Sequence, residues 1–202
     1  MSDLVHELIA TRGKTDGDKP ALIFKDEILS YSRLWEIVQG VSNGLLAAGV
    51  IGGGRVAVYL PKQVETVAAL FGASCAGACF VPVNPLLKPR QVTYILEHCQ
   101  ARVLVTSLQR LQLLADELDH WQSVHTVIVV DDLVNARTAQ LIERSPVTEI
   151  ATWRELCEAP PHLSHRRIDG DTQPHLTAAI IQRAHGRQVQ VYLFKYMRSL
   201  FT

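Results

Sequence analysis

The chain has 202 residues, of which 48% are apolar, and this is enough to build one packed domain. Its 20 lysine and arginine residues balance its 20 acidic residues, so the overall charge does not favour a nucleic acid or an anionic membrane as a partner. We therefore expect a soluble globular protein with no nucleic-acid partner.

The cysteines and the amino terminus indicate a cellular compartment. The four cysteines form no C-x-x-C pair, and two of them lie in apolar runs, where a thiol behaves as a small hydrophobic group. The opening stretch, MSDLVHELIATRGK, lacks the basic start and the unbroken apolar run of a secretory signal. The apolar window 67–83 is shorter than the ~20 residues that a spanning helix needs, and glycine and proline interrupt it. These features predict a cytoplasmic protein without a transmembrane segment.

The first 48 residues are predicted to form a short helix, a β-hairpin and a long helix. Apolar spacing predicts a first helix over Asp3–Thr11. Two short apolar runs, Ala21–Phe24 and Ile28–Tyr31, flank a charged turn and predict a β-hairpin. Ser32 is then the predicted N-cap of a long helix that runs through Ala48.

From residue 55 onward, apolar strands alternate with helical segments. Strands separated by helices of about 10 to 15 residues are typical of βαβ units on a parallel sheet. The predicted fold class is therefore α/β, with a mostly parallel sheet and helices on both faces. The predicted strands are Arg55–Leu60, Cys79–Val83, Arg102–Thr106 and Thr126–Val130. The predicted helices are Gln63–Ala76, Arg90–His98, Leu108–Leu118 and, more weakly, Thr152–Glu158.

The end of the chain differs in character from the rest. Residues 172–202 contain four basic residues and no acidic residue, whereas all 20 acidic residues lie before them. We expect one domain over residues 1–165 and a tail over residues 166–202. The tail has no clean helical or alternating period, which leaves open whether it is native or the product of a shifted reading frame.

Four clustered glycines, Gly49, Gly52, Gly53 and Gly54, invite comparison with a phosphate-binding loop. Such loops follow a strand and open a helix, so that amide groups and the helix dipole face the anion. These glycines instead follow a helix and precede a strand. We expect a plain helix-to-strand turn.

The other clusters of polar residues also give little indication of a metal-binding or catalytic site. His98 with Cys99 and the histidines His162 and His165 lack the three or four convergent ligands of a metal centre. The pair Asp131–Asp132 follows a strand, where α/β proteins often place ligand-contacting acids, but solvated turn residues are the favoured interpretation. No G-x-S-x-G elbow is present.

Several short sequence motifs, in a fixed order along the chain, resemble those of a known family. The stretch LSYSRLWEIVQGVSNGLLAAGV is followed by GGGRVAVYLPKQVETVAALFGASCAGACFVPVNPLLKPRQVTYILEHCQARVLVTS. This region resembles the opening of the AMP-forming acyl-CoA synthetases, the adenylate-forming family that includes luciferases and peptide-synthetase adenylation domains. Within it, YLPKQVETVAALFGAS and VPVNPLLKP resemble the acyl-CoA ligases associated with exosortase systems. The motifs that match the family lie at Tyr31–Leu34, Ala47–Val50, Val56–Ala57, Leu60–Pro61, Ala76–Ala78 and Val81–Pro85.

The resemblance implies two half-reactions on a carboxylic acid. The acid attacks the α-phosphate of Mg-ATP to give an acyl-adenylate and pyrophosphate, and the thiol of coenzyme A then displaces AMP. The family uses ATP, Mg2+ and coenzyme A, and one of its roles is fatty acid metabolism. It stabilises the phosphoryl charge with a Thr/Ser/Gly-rich loop that carries a lysine, and with a lysine on a carboxy-terminal lid.

The resemblance extends as far as Asp171. The words Ile168–Asp171 resemble the family's approach to its phosphate loop, yet TQPHLTAAIIQRAHGRQVQVYLFKYMRSLFT follows, without a Ser/Thr/Gly cluster or Pro-Lys-Gly. No catalytic, cofactor-binding or metal-binding residue can therefore be named, and no cofactor is expected in this chain.

Three functional interpretations stay open at this point. The favoured one is a truncated AMP-forming acyl-CoA ligase that is inactive alone. The second is a non-enzymatic binding or interaction module that associates with itself or another chain through an uncovered sheet face. The third is a different nucleotide-binding α/β enzyme.

Overall fold

The computed structural model describes residues 4–132 and 147–160, together with the backbone of two strands at 179–185 and 188–194. The helices are α1 (Glu7–Thr15), α2 (Tyr31–Ala47), α3 (Val64–Cys75), α4 (Pro89–His98), α5 (Leu108–Leu113), a 3-10 turn (Ala115–His120) and α6 (Trp153–Glu158). The strands are β1 (Pro20–Phe24), β2 (Glu27–Ser30), β3 (Arg55–Tyr59), β4 (Cys79–Pro82), β5 (Ala101–Thr106), β6 (Thr126–Val129), β7 (Glu149–Thr152), β8 (Ala179–His185) and β9 (Gln188–Phe194).

Five of these strands form one parallel sheet in the order β4-β3-β5-β6-β7. Right-handed βαβ crossovers leave few arrangements for elements this short, so the sequence predicts that β3, β4 and β5 are neighbours in one parallel sheet with β6 adjacent. The observed order confirms this prediction. Strand β7 had no counterpart in the sequence prediction, which began a helix at Thr152 instead. Thr152 ends β7 and caps α6, and its hydroxyl accepts a hydrogen bond from the Glu155 amide at 3.2 Å.

Helices cover both faces of the parallel sheet, as predicted. On one face α4, α5 and the 3-10 turn bury an apolar core that includes Leu96 and Trp121. On the other face α2, α3 and α6 bury a second core around Val41 and Leu156. In the described part of the chain, a surface for self-association would therefore lie at a sheet edge or outside the sheet, and not on an uncovered sheet face.

Helix α2 begins at a different residue from the predicted one. Ser30, not Ser32, is its N-cap, and the Ser30 hydroxyl accepts a hydrogen bond from the Arg33 amide at 3.3 Å. Ser32 lies inside the first turn and donates to the Gly17 carbonyl at 3.0 Å. Both serines precede a helical pattern, so the choice between them depends on this contact with a distant loop.

The first helix runs from Glu7 to Thr15, four residues later than predicted. The sequence prediction ended this helix at Thr11 and treated the polar stretch that begins at Gly13 as a loop. In the structure Gly13 packs against Trp35 of α2, where a Cβ atom would lie 3.3 Å from the tryptophan Cβ. The predicted hairpin that follows is confirmed as an antiparallel β1–β2 pair.

Strands β8 and β9 form an antiparallel hairpin beyond the main domain. Strand β8 lies next to β4, an edge strand of the parallel sheet, but the two-stranded hairpin is a separate sheet. None of the helices described here has the length and apolar character needed to cross a membrane. The apolar window 67–83 divides into α3 and β4, as the sequence predicted.

Candidate functional site

The carboxyl ends of the parallel strands form the first candidate site. In open α/β sheets, ligands bind in the crevice outside this edge. Here the edge is built from the segments that follow β3, β4, β5 and β6. Pro61 ends the extension of β3, because proline cannot continue a central strand.

An arginine on α5 joins the segments that follow β3 and β4. Tyr59, the last residue of β3, is buried, and its hydroxyl lies 3.4 Å from the Leu87 carbonyl. The Arg110 guanidinium lies over the Tyr59 ring at 4.8 Å from the centroid and donates to the Pro85 carbonyl at 2.8 Å. The aromatic face and the carbonyl thus compensate the charge of a half-buried guanidinium.

Two further bonds tie neighbouring strand ends together. The buried hydroxyl of Thr106, at the end of β5, donates to the Tyr59 carbonyl at 3.1 Å. A carboxylate oxygen of Asp131, just after β6, accepts a hydrogen bond from the Leu108 amide at 2.6 Å. The amide at the start of a helix has no partner within the helix, so an acidic side chain stabilises it there.

The polar side chains at the outer part of this edge also bond to the protein. Asn84 accepts a hydrogen bond from the Leu86 amide at 2.9 Å, which forms a local turn. Asp132 and Arg154 approach to 3.5 Å, and both are exposed. The favoured interpretation of Asp131 and Asp132 as turn residues agrees with these contacts, although Asp131 is a helix-capping group and not simply solvated.

The cysteines in the described part of the chain are not activated nucleophiles, and Cys79, the first residue of β4, lies at the opposite end of the sheet from this edge. A nucleophilic cysteine needs a lowered pKa, and burial here raises it. Desolvation raises the pKa of the thiols of Cys79 and Cys157 to about 11 and also raises the pKa of Cys75 and Cys99. All four cysteines are free thiols.

The glycine cluster forms the predicted helix-to-strand turn between α2 and β3. Gly49 has φ of 76° immediately after α2, and Gly53 has φ of 78°, which are conformations that favour glycine. The Gly53 amide donates to the Gly77 carbonyl at 2.9 Å, and the Gly54 amide donates to the Ile51 carbonyl at 2.8 Å. The turn lies at the amino ends of the strands, away from the candidate edge.

The described histidines and cysteines do not converge on a metal centre. Within residues 4–132 and 147–160 no group of three histidine, cysteine or acidic side chains is close enough to hold a metal ion. His98 stacks on Tyr94 with ring centroids 5.4 Å apart, and Cys99 is buried at the end of α4. His162 and His165 lie outside the described residues.

Sequence reasoning did not find the contact between Arg110 and Tyr59. The two residues are far apart in the chain, and each lies in a segment that reads as ordinary helix or strand. Asp131 carried a partial signal, since it follows a strand, but its partner amide depends on the position of α5. Both contacts exist only because β3, β5 and β6 are neighbours in the sheet.

One protein-family model matches most of this chain. Residues 9–181 match the family model described as AMP-binding enzyme. The chain belongs to this family. The match confirms the family resemblance drawn from the sequence and extends past Asp171, to residue 181.

Characterised members of the family are much longer than this chain. The crotonobetaine/carnitine–CoA ligase of Citrobacter koseri is 32% identical over 157 residues, which cover 72% of this chain and 29% of the ligase. Surfactin synthase subunit 1 of Bacillus subtilis is 32% identical over 102 residues, which cover 50% of this chain and 3% of the synthase. The chain thus spans less than a third of each of these relatives.

Solved structures in the family share the fold. A long-chain-fatty-acid CoA ligase from Rhodopseudomonas palustris superposes on this chain with a TM-score of 0.76 at 19% sequence identity. The superposed region covers 95% of this chain and 44% of the ligase chain. The anthranilate CoA ligase AuaEII, in complex with anthranoyl-AMP, superposes with a TM-score of 0.74 at 20% identity, covering 92% of this chain and 33% of its own. The α/β fold is therefore that of the amino-terminal part of acyl-CoA ligases.

Proposed function

We propose that this chain supplies the amino-terminal part of an AMP-forming acyl-CoA ligase and that its 202 residues alone do not catalyse adenylation. The whole reaction would join a carboxylic acid to coenzyme A with conversion of ATP to AMP and pyrophosphate. Family membership over residues 9–181 supports the first half of the proposal. The composition of residues 172–202, which lack a Ser/Thr/Gly cluster and Pro-Lys-Gly, carries the second half.

The physical reason for the expected inactivity is the charge that builds up on the transferring phosphoryl group. Pre-placed donors and a cation must stabilise that charge, and they contribute most of the rate enhancement. The carboxyl edge of the described sheet uses its Arg110 guanidinium and its Asp131 carboxylate within the protein. In this interpretation the edge is a platform against which other segments of a ligase would place ATP.

Acid-dependent ATP–pyrophosphate exchange tests the proposal directly. The purified chain, incubated with Mg-ATP, labelled pyrophosphate and a mixture of carboxylic acids, should give exchange equal to a no-enzyme blank. A complete acyl-CoA ligase serves as the positive control in the same mixture. Exchange clearly above the blank, in a preparation free of host ligases, would contradict the proposal.

A binding module without enzymatic activity is the second candidate. It is favoured by the self-contained core, since helices bury both faces of the five-stranded sheet. Sedimentation velocity separates the two candidates: one discrete assembly or monomer favours the module, whereas polydisperse aggregation favours a fragment. Because the chain belongs to the AMP-binding family, an unrelated nucleotide-binding enzyme is no longer needed as an explanation.

Three finer assignments go beyond family membership and stay proposals. The exosortase-associated subgroup is proposed from YLPKQVETVAALFGAS and VPVNPLLKP, and an acyl substrate in fatty acid metabolism is proposed from the family. A cytoplasmic location is proposed from the free thiols, which a reducing compartment would preserve. Comparison of acyl-CoA formation on fatty, aromatic and amino acids by a full-length relative carrying this segment would test the substrate class.

A further inference from the structure

A small pocket opens at the amino ends of the parallel strands, on the opposite side from the candidate edge. Its volume is about 110 Å³. One wall is the glycine turn that joins α2 to β3, and the other walls are the first residues of β3, β5 and β6. Its polar and glycine lining includes Gly49, Gly54, Arg55, Arg102, His125 and Thr126.

Two arginines and a histidine at the starts of three adjacent strands line the pocket. Arg55 begins β3, Arg102 is the second residue of β5, and His125 immediately precedes β6. The order β3-β5-β6 places them side by side, with about 4.8 Å between neighbouring strands. The His125 amide donates to the Arg102 carbonyl at 2.9 Å, which fixes these two residues relative to each other.

A local irregularity of the sheet sets the position of Arg102. Arg55 pairs with Ala101 while the next residue, Val56, pairs with Val103, so Arg102 is an extra residue on β5. Such a bulge changes the direction of a side chain relative to the regular alternation. Arg102 is exposed, whereas Ala101 and Val103 on either side of it are buried.

The positive charge at this pocket has no carboxylate to balance it among its lining residues. Within residues 4–132 and 147–160, the ion pairs involve other basic residues and neither Arg55 nor Arg102. An acid outside the lining, Glu149, accepts a hydrogen bond at 3.5 Å from the hydroxyl of the lining residue Thr126, and Glu149 itself is exposed.

We propose that this pocket binds a phosphate group. Guanidinium groups recognise phosphate with paired, charge-assisted hydrogen bonds, and two arginines and a histidine line this pocket. Gly49 and Gly54 of the turn line the pocket without a side chain of their own, so the backbone of the turn forms part of its wall. The site is independent of the adenylation chemistry proposed above, so either proposal can fail without the other.

Amide NMR titration of the 202-residue chain tests the phosphate site. Inorganic phosphate replaces chloride at constant ionic strength, and saturable shifts are expected at residues 52–55, 102–103 and 125–126. Arg102→Gln and Arg55→Gln should each raise the Kd about tenfold, the change that 1.4 kcal/mol represents. The matched control is Arg33→Gln, which removes an exposed arginine from α2 and should leave the Kd unchanged.

The same titration distinguishes the source of the phosphate group. Equal affinity for inorganic phosphate and ribose 5-phosphate indicates a site for the free ion, whereas tighter binding of the ester indicates a site for a phosphorylated metabolite. Both outcomes support the proposal. Shifts that do not saturate, that spread over the whole surface, or that persist unchanged in Arg102→Gln would overturn it. Arg102 is exposed, so its replacement tests the site even if Arg55→Gln fails to fold.

Discussion

The guanidinium of Arg110 lies 4.8 Å from the ring centroid of Tyr59 and joins two strand ends that are distant in the sequence. Its second bond, to the Pro85 carbonyl, holds the segment after β4 against α5. This arrangement makes the carboxyl edge of the sheet one connected surface. Its contribution to stability can be measured.

Replacing Arg110 with methionine should destabilise the chain. The variant keeps the aliphatic stem but loses the cation–π contact and leaves the Pro85 carbonyl without its donor, so we expect a loss of about 1–3 kcal/mol in the free energy of unfolding. Urea denaturation followed by circular dichroism measures it. Arg33→Met, at an exposed i,i+3 pair, is the control and should change stability by less than about 0.5 kcal/mol. Equal effects of the two variants would contradict the assigned role.

Replacing each of two glycines with alanine should have different effects on the free energy of unfolding. A Cβ at Gly44 would overlap the Leu156 carbonyl oxygen and side chain, because α2 and α6 pack closely there. Gly44→Ala should therefore cost about 1–3 kcal/mol through overpacking. Gly52 has open space around its Cβ position, so Gly52→Ala should be neutral or stabilise by up to about 1 kcal/mol. Thermal or urea unfolding of both variants checks this, and a harmless Gly44→Ala would show that the helices are not in contact.

The cysteines should react slowly with thiol reagents in the native chain. Burial raises the pKa of Cys79 and Cys157 to about 11, which leaves about a hundredfold less thiolate than at the usual value of 9.0. Because the folded pKa lies above the unfolded one, this contribution to stability is complete below pH 9 and is lost as the pH rises towards 11.

Labelling with a colourimetric disulfide reagent at pH 8 measures this reactivity. We expect slow modification of the native chain and rapid modification of all four thiols in urea. Serine variants of each cysteine assign the rates to single sites. Fast labelling of Cys79 in the native chain would contradict its burial.

The sequence places a change of reading frame at about codon 172, directly after Asp171. The family match runs to residue 181 and contradicts that position, so we predict a change of frame after codon 181 instead. Read one base forward, Gln188–Val189 and Gln190–Val191 each yield lysine or arginine, because a glutamine codon ends in AA or AG and a valine codon begins with G. A lysine is what the family's phosphate loop requires.

The DNA sequence decides this prediction. If neither of the other two frames encodes a Thr/Ser/Gly-rich loop ending in Pro-Lys-Gly, the frameshift hypothesis is wrong. The alternative is a genuine tail, and the β8–β9 hairpin beside β4 is the form it would take. Slow amide exchange across residues 179–194 would favour that alternative.

The sequence by itself determined the order and the type of most elements. Apolar alternation and helical spacing are local properties, so they predicted four parallel strands, the β1–β2 hairpin and the helices between them. The ordered motifs from Leu29 to Thr106 were specific enough to identify the family, because several motifs at the expected spacing rarely occur together by chance.

Only the tertiary structure decided which side chains meet. Ser30 rather than Ser32 caps α2 because Ser32 contacts a distant loop, and β7 forms because β6 offers it an edge. The pairing of Arg110 with Tyr59 and the grouping of Arg55, Arg102 and His125 follow from strand order. The crossover rule predicted which strands are neighbours, but the side-chain contacts across those neighbours depend on register and helix position, which no local pattern in the chain encodes.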